Sequence, residues 1–326
     1  MTGSPLSIAV LGVSSLDDAR RFYGDIVGLD ASDPVVLAGP GFESHWNLPL
    51  GSTAEAIMFA AGESQVGRVL AIKFHAEDRV TIPQPGDRTY RGLWNLNFYV
   101  DDIRATTKAL QAQGFVFWSE PVGYEVSAKA GLPVEVLFDG PDGLAINLVE
   151  LTGDDSTAVG KLRLDVEAEG KTKTGYTPVS TTSHSIIDHE KALAFYQQVL
   201  GLHIIIDDVL DKPETNHFLG RPKEAQTRAT FVSAAHPFGK IALSHPLNYE
   251  ASSKGDIQVP PNIGYLAQSF LVPDVQKALA VCDEIGAERF SDPADIMLPG
   301  VGPRFAAVVR NPGSGALMEL IEGTPL

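Results

Sequence analysis

Asp188-His189-Glu190-Lys191-Ala192-Leu193-Ala194-Phe195-Tyr196-Gln197-Gln198-Val199-Leu200-Gly201-Leu202 is the stretch on which the reading of this chain turns. An acidic residue able to cap a helix comes first. Ala192, Phe195, Tyr196 and Val199 then recur at helical spacing, one buried face, and Gly201 is a natural stop. The same text stands 173 residues earlier. There Ser15 and Asp18 have capping-box spacing, Ala19, Phe22, Tyr23 and Ile26 share a face, and Gly28-Leu29 ends it.

Working outward, the repetition continues at an offset of 172. His45-Trp46 returns as His217-Phe218, and Phe59 with Gly67 as Phe231 with Gly239. Asp102, Gly114, Ser119 and Pro121 return as Asp274, Gly286, Ser291 and Pro293, and Gly143, Leu148 and Glu150 as Gly315, Leu320 and Glu322. A constant offset over that span means two copies of one unit. Each copy divides again. Strands are expected over 6–13, 55–60 and 68–74 around the first helix. In the second quarter they are expected over 93–100, 115–118, 133–138 and 144–151, around a helix from Asp102 to about Gln113. The unit is strand, helix, three strands, and the chain holds four: an α+β fold of tandem modules. Lobes are expected over 1–152 and 179–326, joined by a polar linker over 153–178 in which 161–167 alternates well enough to add an edge strand. Val275, Ala278, Leu279 and Cys282 share a helical face, so the single cysteine reads as packing.

Composition narrows the function. The chain of 326 residues carries 25 basic against 41 acidic side chains, a formal charge of −16. Such a surface repels nucleic acid and anionic membranes, and no apolar run approaches the ~20 residues of a membrane span. Met1-Thr2-Gly3-Ser4-Pro5 lacks the features of a secretory signal, and one cysteine allows no intrachain disulfide. A cytoplasmic protein acting on a small molecule is the expectation; the sequence admits a homodimer.

Four such units, the first and third with a helix-capping residue, a Phe-Tyr and a Gly-Leu in order, resemble the vicinal oxygen chelate superfamily of glyoxalases, bleomycin-binding proteins and extradiol dioxygenases. The segment Asn311-Pro312-Gly313-Ser314-Gly315-Ala316-Leu317-Met318-Glu319-Leu320 is similar to the closing strand of dioxygenase units. The resemblance implies that successive units close two eight-stranded, cup-shaped half-barrels. It also implies a divalent metal held by first- and last-strand residues. Carried onto this chain, the first-strand positions are Ile8, Asn95, Thr181 and Ala267, and the last-strand positions are about Leu70, Asn147, Ala242 and Glu319. Only Glu319 is a good ligand, and Gly239 and Val308 stand where the acid-base histidine and active-site tyrosine would be. Catalytic metal sites normally use three protein ligands. The metal site therefore reads as degenerate and no cofactor is expected; Fe, Mn or Zn would need a register slip on a strand.

The remaining candidates follow from chemistry. Glu319, inward on an apolar strand, is a candidate base; the bland reading is an ion pair with Arg304 or Arg310. His217, assigned to the same lobe, and His245 are its expected partners in proton transfer. His45 with Trp46, and Phe218 beside His217, are expected at the rims of the cups. Asn95, Asn97 and Tyr99 alternate on one strand and could hydrogen-bond a ligand together with Asn147 and Thr181. The expected function is proton transfer of the lyase or isomerase type on a small apolar, aromatic or carbonyl-bearing compound. The alternatives are a metal-dependent dioxygenase- or glyoxalase-type enzyme and a bleomycin-resistance-like sequestering protein.

Overall fold

The computed structural model describes residues 3–83, 90–124 and 131–325. The helices begin where their caps predict. The Ser15 hydroxyl accepts the Asp18 amide, and the carboxylates of Asp102, Asp188 and Asp274 accept the amides of Ala105, Lys191 and Lys277. In the first and third units the helix widens into a π-helical turn, Arg20–Ile26 and Phe195–Val199. Phe22 meets Tyr23 edge-on at 5.0 Å, and Phe195 meets Tyr196 edge-on at 5.5 Å, so the repeated pair occupies equivalent places. Cys282 is fully buried with Val275, Ala278 and Leu279, and burial pushes its thiol up to about 12.

Two curled sheets carry the strands, and their composition corrects the expected lobes. One sheet runs Ala294–Leu298, Gly302–Arg310, Leu317–Glu322, Gly264–Val272, then Leu6–Gly12, Arg68–Phe74, Thr53–Ala60 and Asp30–Ala31. It joins the fourth unit to the first. The other runs His203–Leu210, Thr227–Ser233, Lys240–Pro246, Thr181–Ser185, then Tyr90–Tyr99, Ala145–Glu150, Val134–Asp139 and Val116–Phe117, joining the third unit to the second. The seams are antiparallel, with Ile8 opposite Ser269 and Thr181 opposite Asn97. Successive units therefore do not close a cup as expected, and a cut between 152 and 179 divides both sheets. The connection after Glu150 lays Thr181–Ser185 beside Tyr90–Tyr99, which leaves the edge of Leu6–Gly12 to be covered by the last unit.

The connection itself is also corrected: residues 158–169 form the helix Ala158–Glu169, capped by Thr157, rather than an edge strand. Val159, Leu162 and Val166 share its inner face at helical spacing, and Val166 packs with Tyr99, Val149 and Phe238. The 161–167 alternation included Leu164, which faces solvent.

Gly67 and Gly239 fasten the two sheets. The Leu6 amide donates to the Gly239 carbonyl at 2.9 Å and the Val179 amide to that of Gly67 at 3.0 Å. A Cβ at Gly67 would stand 2.6 Å from the Val179 oxygen, and both glycines have φ near +70° (70° and 74°), so only glycine fits. Behind the sheets one core is shared: Phe22 of the first unit packs on Phe115 and Phe138 of the second, and Phe195 of the third on Phe270 of the fourth. Each such ring contributes about 1.5–3 kcal/mol by leaving water. Among the described residues no helix is long and apolar enough to cross a membrane.

Candidate active site

Along Leu317–Glu322 the side chains alternate. Met318 and Leu320 enter the shared core, while Leu317 and Ile321 join Ile8, Val10, Leu70 and Ile72 on the hollow side of the sheet. Glu319 belongs to the hollow side and is fully buried there. Register sets Ser269 directly across from it, and the Ser269 hydroxyl donates to Glu319 Oε2. The second partner comes from the first unit. Gly39, at φ 89°, turns the chain into the short helix Pro40–His45, with proline at its first turn. That helix brings His45, also fully buried, to 2.7 Å from Glu319 Oε1 through Nε2.

Among the described residues His45 Nδ1 has no partner. An orphaned lone pair costs less than an orphaned N–H, so we assign the proton to Nε2, where it donates to the carboxylate. Both oxygens of Glu319 then accept one hydrogen bond each and keep lone pairs for a substrate proton.

A cavity of about 290 Å³ opens beside this pair, lined by Val36, Phe42, Trp46, Leu70, Ile72 and Leu298, with Glu319 among its walls. That is the small end of ligand pockets, roughly 300–1,000 Å³. Ile8, Leu70, Ala267 and Glu319, matched to metal-binding positions in the sequence, do fall in this one cup. Three of the four are apolar, and the one imidazole nearby is bonded to the one carboxylate. Among the described residues no three His, Cys, Asp or Glu side chains converge on a point. This donor set does not fit a transition metal.

The other sequence candidates separate. His217 is exposed at the end of Pro213–Phe218, in the other cup, and Phe218 turns inward, 5.2 Å from Tyr124. His245 lies opposite Arg228, 6.2 Å from His189, and its pKa is lowered by burial and by those two neighbours. Neither stands by Glu319; His45 does. The reason is the sheet pairing: the rim helix that reaches the fourth unit belongs to the first. Trp46 lines the cavity at Glu319. Glu319 makes no ion pair with Arg310, which bonds the Gly315 carbonyl.

Asn95, Asn97, Asn147 and Thr181 come together in the second cup, where Asn97 is in register with both Asn147 and Thr181. Asn95 accepts the Ser183 amide at 2.9 Å, and Asn147 donates to Glu135 at 2.6 Å. Tyr124 donates to the other Glu135 oxygen at 2.9 Å. Burial raises the Glu135 pKa, partly offset by these two donors. Tyr99 packs against Val149 and Val166 under the Lys240 ammonium, 5.4 Å away.

Sequence reasoning missed Ser269 and Arg68. Both were findable: Ser269 lies two residues beyond Ala267 on the same face, and Arg68 two before Leu70 on an otherwise apolar inward row.

Residues 6–148 match the profile of the Glyoxalase/Bleomycin resistance protein/Dioxygenase superfamily. No curated protein matches the chain in sequence. Among solved structures, glyoxalase I from Zea mays is 17% identical, with a TM-score of 0.61 over 98% of this chain and 92% of that one. A candidate dioxygenase from Bacillus subtilis is 12% identical, with a TM-score of 0.58 over 99% of this chain and 86% of that one. At such identities the likeness is one of fold.

Proposed function

We propose that the chain, whose residues 6–148 match the model of the glyoxalase, bleomycin resistance and dioxygenase superfamily, is a member of that superfamily and an enzyme of proton transfer, of the lyase or isomerase type, working in the cup of its first and fourth units. The substrate is a small, largely apolar compound with a carbonyl group. One observation carries the reading: a buried carboxylate, held by His45 and Ser269, stands at the wall of an apolar cavity. Glu319 itself is fully buried at that wall, which keeps bulk water from competing for it.

Glu319 would take a proton from the carbon next to the carbonyl, the electron pair passing to the carbonyl oxygen. The protonated acid would then return the proton to a neighbouring carbon or to a departing group. His45 and Ser269 hold the carboxylate in place and do not themselves take the proton. The small volume selects small substrates, and Trp46 offers a flat apolar wall.

The test is exchange. Small carbonyl compounds bearing an acidic C–H are incubated with the protein in D₂O and followed by proton NMR. Exchange should be enzyme-dependent and fall by about 10²- to 10⁴-fold in Glu319→Gln, which keeps shape and removes the base. Equal exchange in the variant and the parent protein would remove Glu319 from the chemistry.

A further inference from the structure

We propose that Arg68, assisted by Arg304, forms an anion subsite in the cup of Glu319, so that the compound taken there carries a carboxylate on its apolar body. This rests on reading that cup as the working one and adds the class of its substrate.

Arg68 is 6% exposed. It shares its strand face with Leu70 and Ile72, both of which line the cavity. Its Nη2 donates to the Ser7 hydroxyl at 2.6 Å, and among the described residues its Nε has no partner. The charged groups within electrostatic reach are Arg304 and Glu319. Arg304 lies next to Pro303, a cavity-lining residue, and donates to that residue's carbonyl at 2.8 Å. Among the described residues neither guanidinium has an ion-pair partner. Glu319 is already bonded to His45 and Ser269.

Around Arg68 the cup thus sets two guanidiniums against Glu319, which is already engaged, while the cavity's other carboxylate residue, Asp295, is exposed at its rim. A buried cation without a counter-ion is unfavourable, and burial together with Arg304 lowers the Arg68 pKa to about 10. A second carboxylate, brought by the ligand, would relieve this, and its planar oxygens match the guanidinium fork. The formal charge of −16 does not oppose it, because surface charge is screened beyond about 8 Å while the two cations act at contact. The apolar lining favours an organic acid over a bare inorganic anion.

Trp46 lines the cavity, so its fluorescence reports occupancy. The probes are benzoate, benzamide (the same body without charge) and inorganic phosphate. Benzoate should quench saturably and bind at least about 10-fold tighter than benzamide, with phosphate weakest. Arg68→Met should weaken benzoate by about 10- to 100-fold and leave benzamide unchanged. Arg304→Met, at a more exposed position, should weaken it less and serves if Arg68→Met fails to fold. Benzamide binding as tightly as benzoate, phosphate binding more tightly, or benzoate affinity unchanged in whichever arginine variant folds would overturn the subsite. Glu319→Gln should retain or tighten benzoate binding. Arginine-dependent benzoate binding without any proton exchange would leave the subsite standing and remove the proton-transfer reading; exchange without benzoate preference would do the reverse.

Discussion

In the cup of the first and fourth units, the helix Pro40–His45 delivers a buried histidine to a buried glutamate. In the cup of the second and third units, the equivalent helix Pro213–Phe218 turns its histidine to solvent and its phenylalanine inward. The last-strand position that holds Glu319 in one cup holds Asn147 in the other, and the inward cation Arg68 is matched by Lys240. One backbone plan has therefore separated two chemistries. The first cup gathers a carboxylate, two donors to it and a guanidinium that has no ion-pair partner among the described residues, around an apolar cavity. The second spends its carboxylate, Glu135, on its own Tyr124 and Asn147. Duplication copies positions, and the chemistry then depends on which side chain each position keeps.

The largest expected difference is in stability. Phe218 is fully buried, so Phe218→Ala should cost about 3–5 kcal/mol in urea unfolding. Trp46, 4% exposed, has one side on a cavity where no atoms pack against it, so Trp46→Ala should cost less. Equal costs would mean that the two rim helices pack alike, against the contrast drawn between them.

The next effect is catalytic. His45→Ala should reduce deuterium exchange by about 10²-fold by releasing one oxygen of Glu319, while His217→Ala, at an exposed position, leaves it unchanged. If His217→Ala were the damaging change, the working cup would be the second.

The sequence carried local information well. Asp188, Asp102 and Asp274 are caps because a carboxylate satisfies amides three residues away, which needs no knowledge of the rest of the chain. The repeated Phe-Tyr and Gly-Leu are legible for the same reason. Which units share a sheet was not legible: every first strand offers the same kind of edge, and only the long-range choice of Ile8 for Ser269 decides. The expectation of His217 beside Glu319 departs from the structure through that choice alone: the histidine that reaches Glu319 comes from the equivalent helix of the first unit. Leu162 and Val166 fit a strand or a helix by spacing, and burial against Tyr99 and Phe238 selected the helix.

A third contrast lies behind the sheets. The core-facing first-strand position is Leu11 in the first unit and His184 in the third, where the ring bonds Tyr196 at 2.7 Å and Ser314 at 2.6 Å. Burial lowers the His184 pKa from 6.5 to about 3. Between those values the unfolded chain binds a proton that the folded one refuses. The stability this group contributes is present above pH 6.5 and lost as pH falls toward 3. Between pH 6.5 and 5 the loss should be about 2 kcal/mol in urea titrations. His184→Leu, which copies the first unit, should flatten that limb; an unchanged slope would assign the acid sensitivity to other groups.

The smallest effect has the opposite sign and belongs to the second cup. Glu135 has a folded-state pKa raised above 4.5, chiefly by burial, so the folded protein holds its proton more readily than the unfolded chain. Its contribution to stability is fully present below about 4.5 and is lost as pH rises through the folded value. Glu135→Gln keeps a polar group of the same shape between Tyr124 and Asn147 and removes the titration. Above that window the variant should melt at or slightly above the parent protein, and below it the two should converge. Glu319 is held by donors on both oxygens at the edge of a cavity, whereas Glu135 is held by two side chains of its own cup. If Glu135→Gln instead abolished deuterium exchange while leaving the melting profile untouched, the second cup's carboxylate would be the working base, and the division of labour between the cups would be reversed.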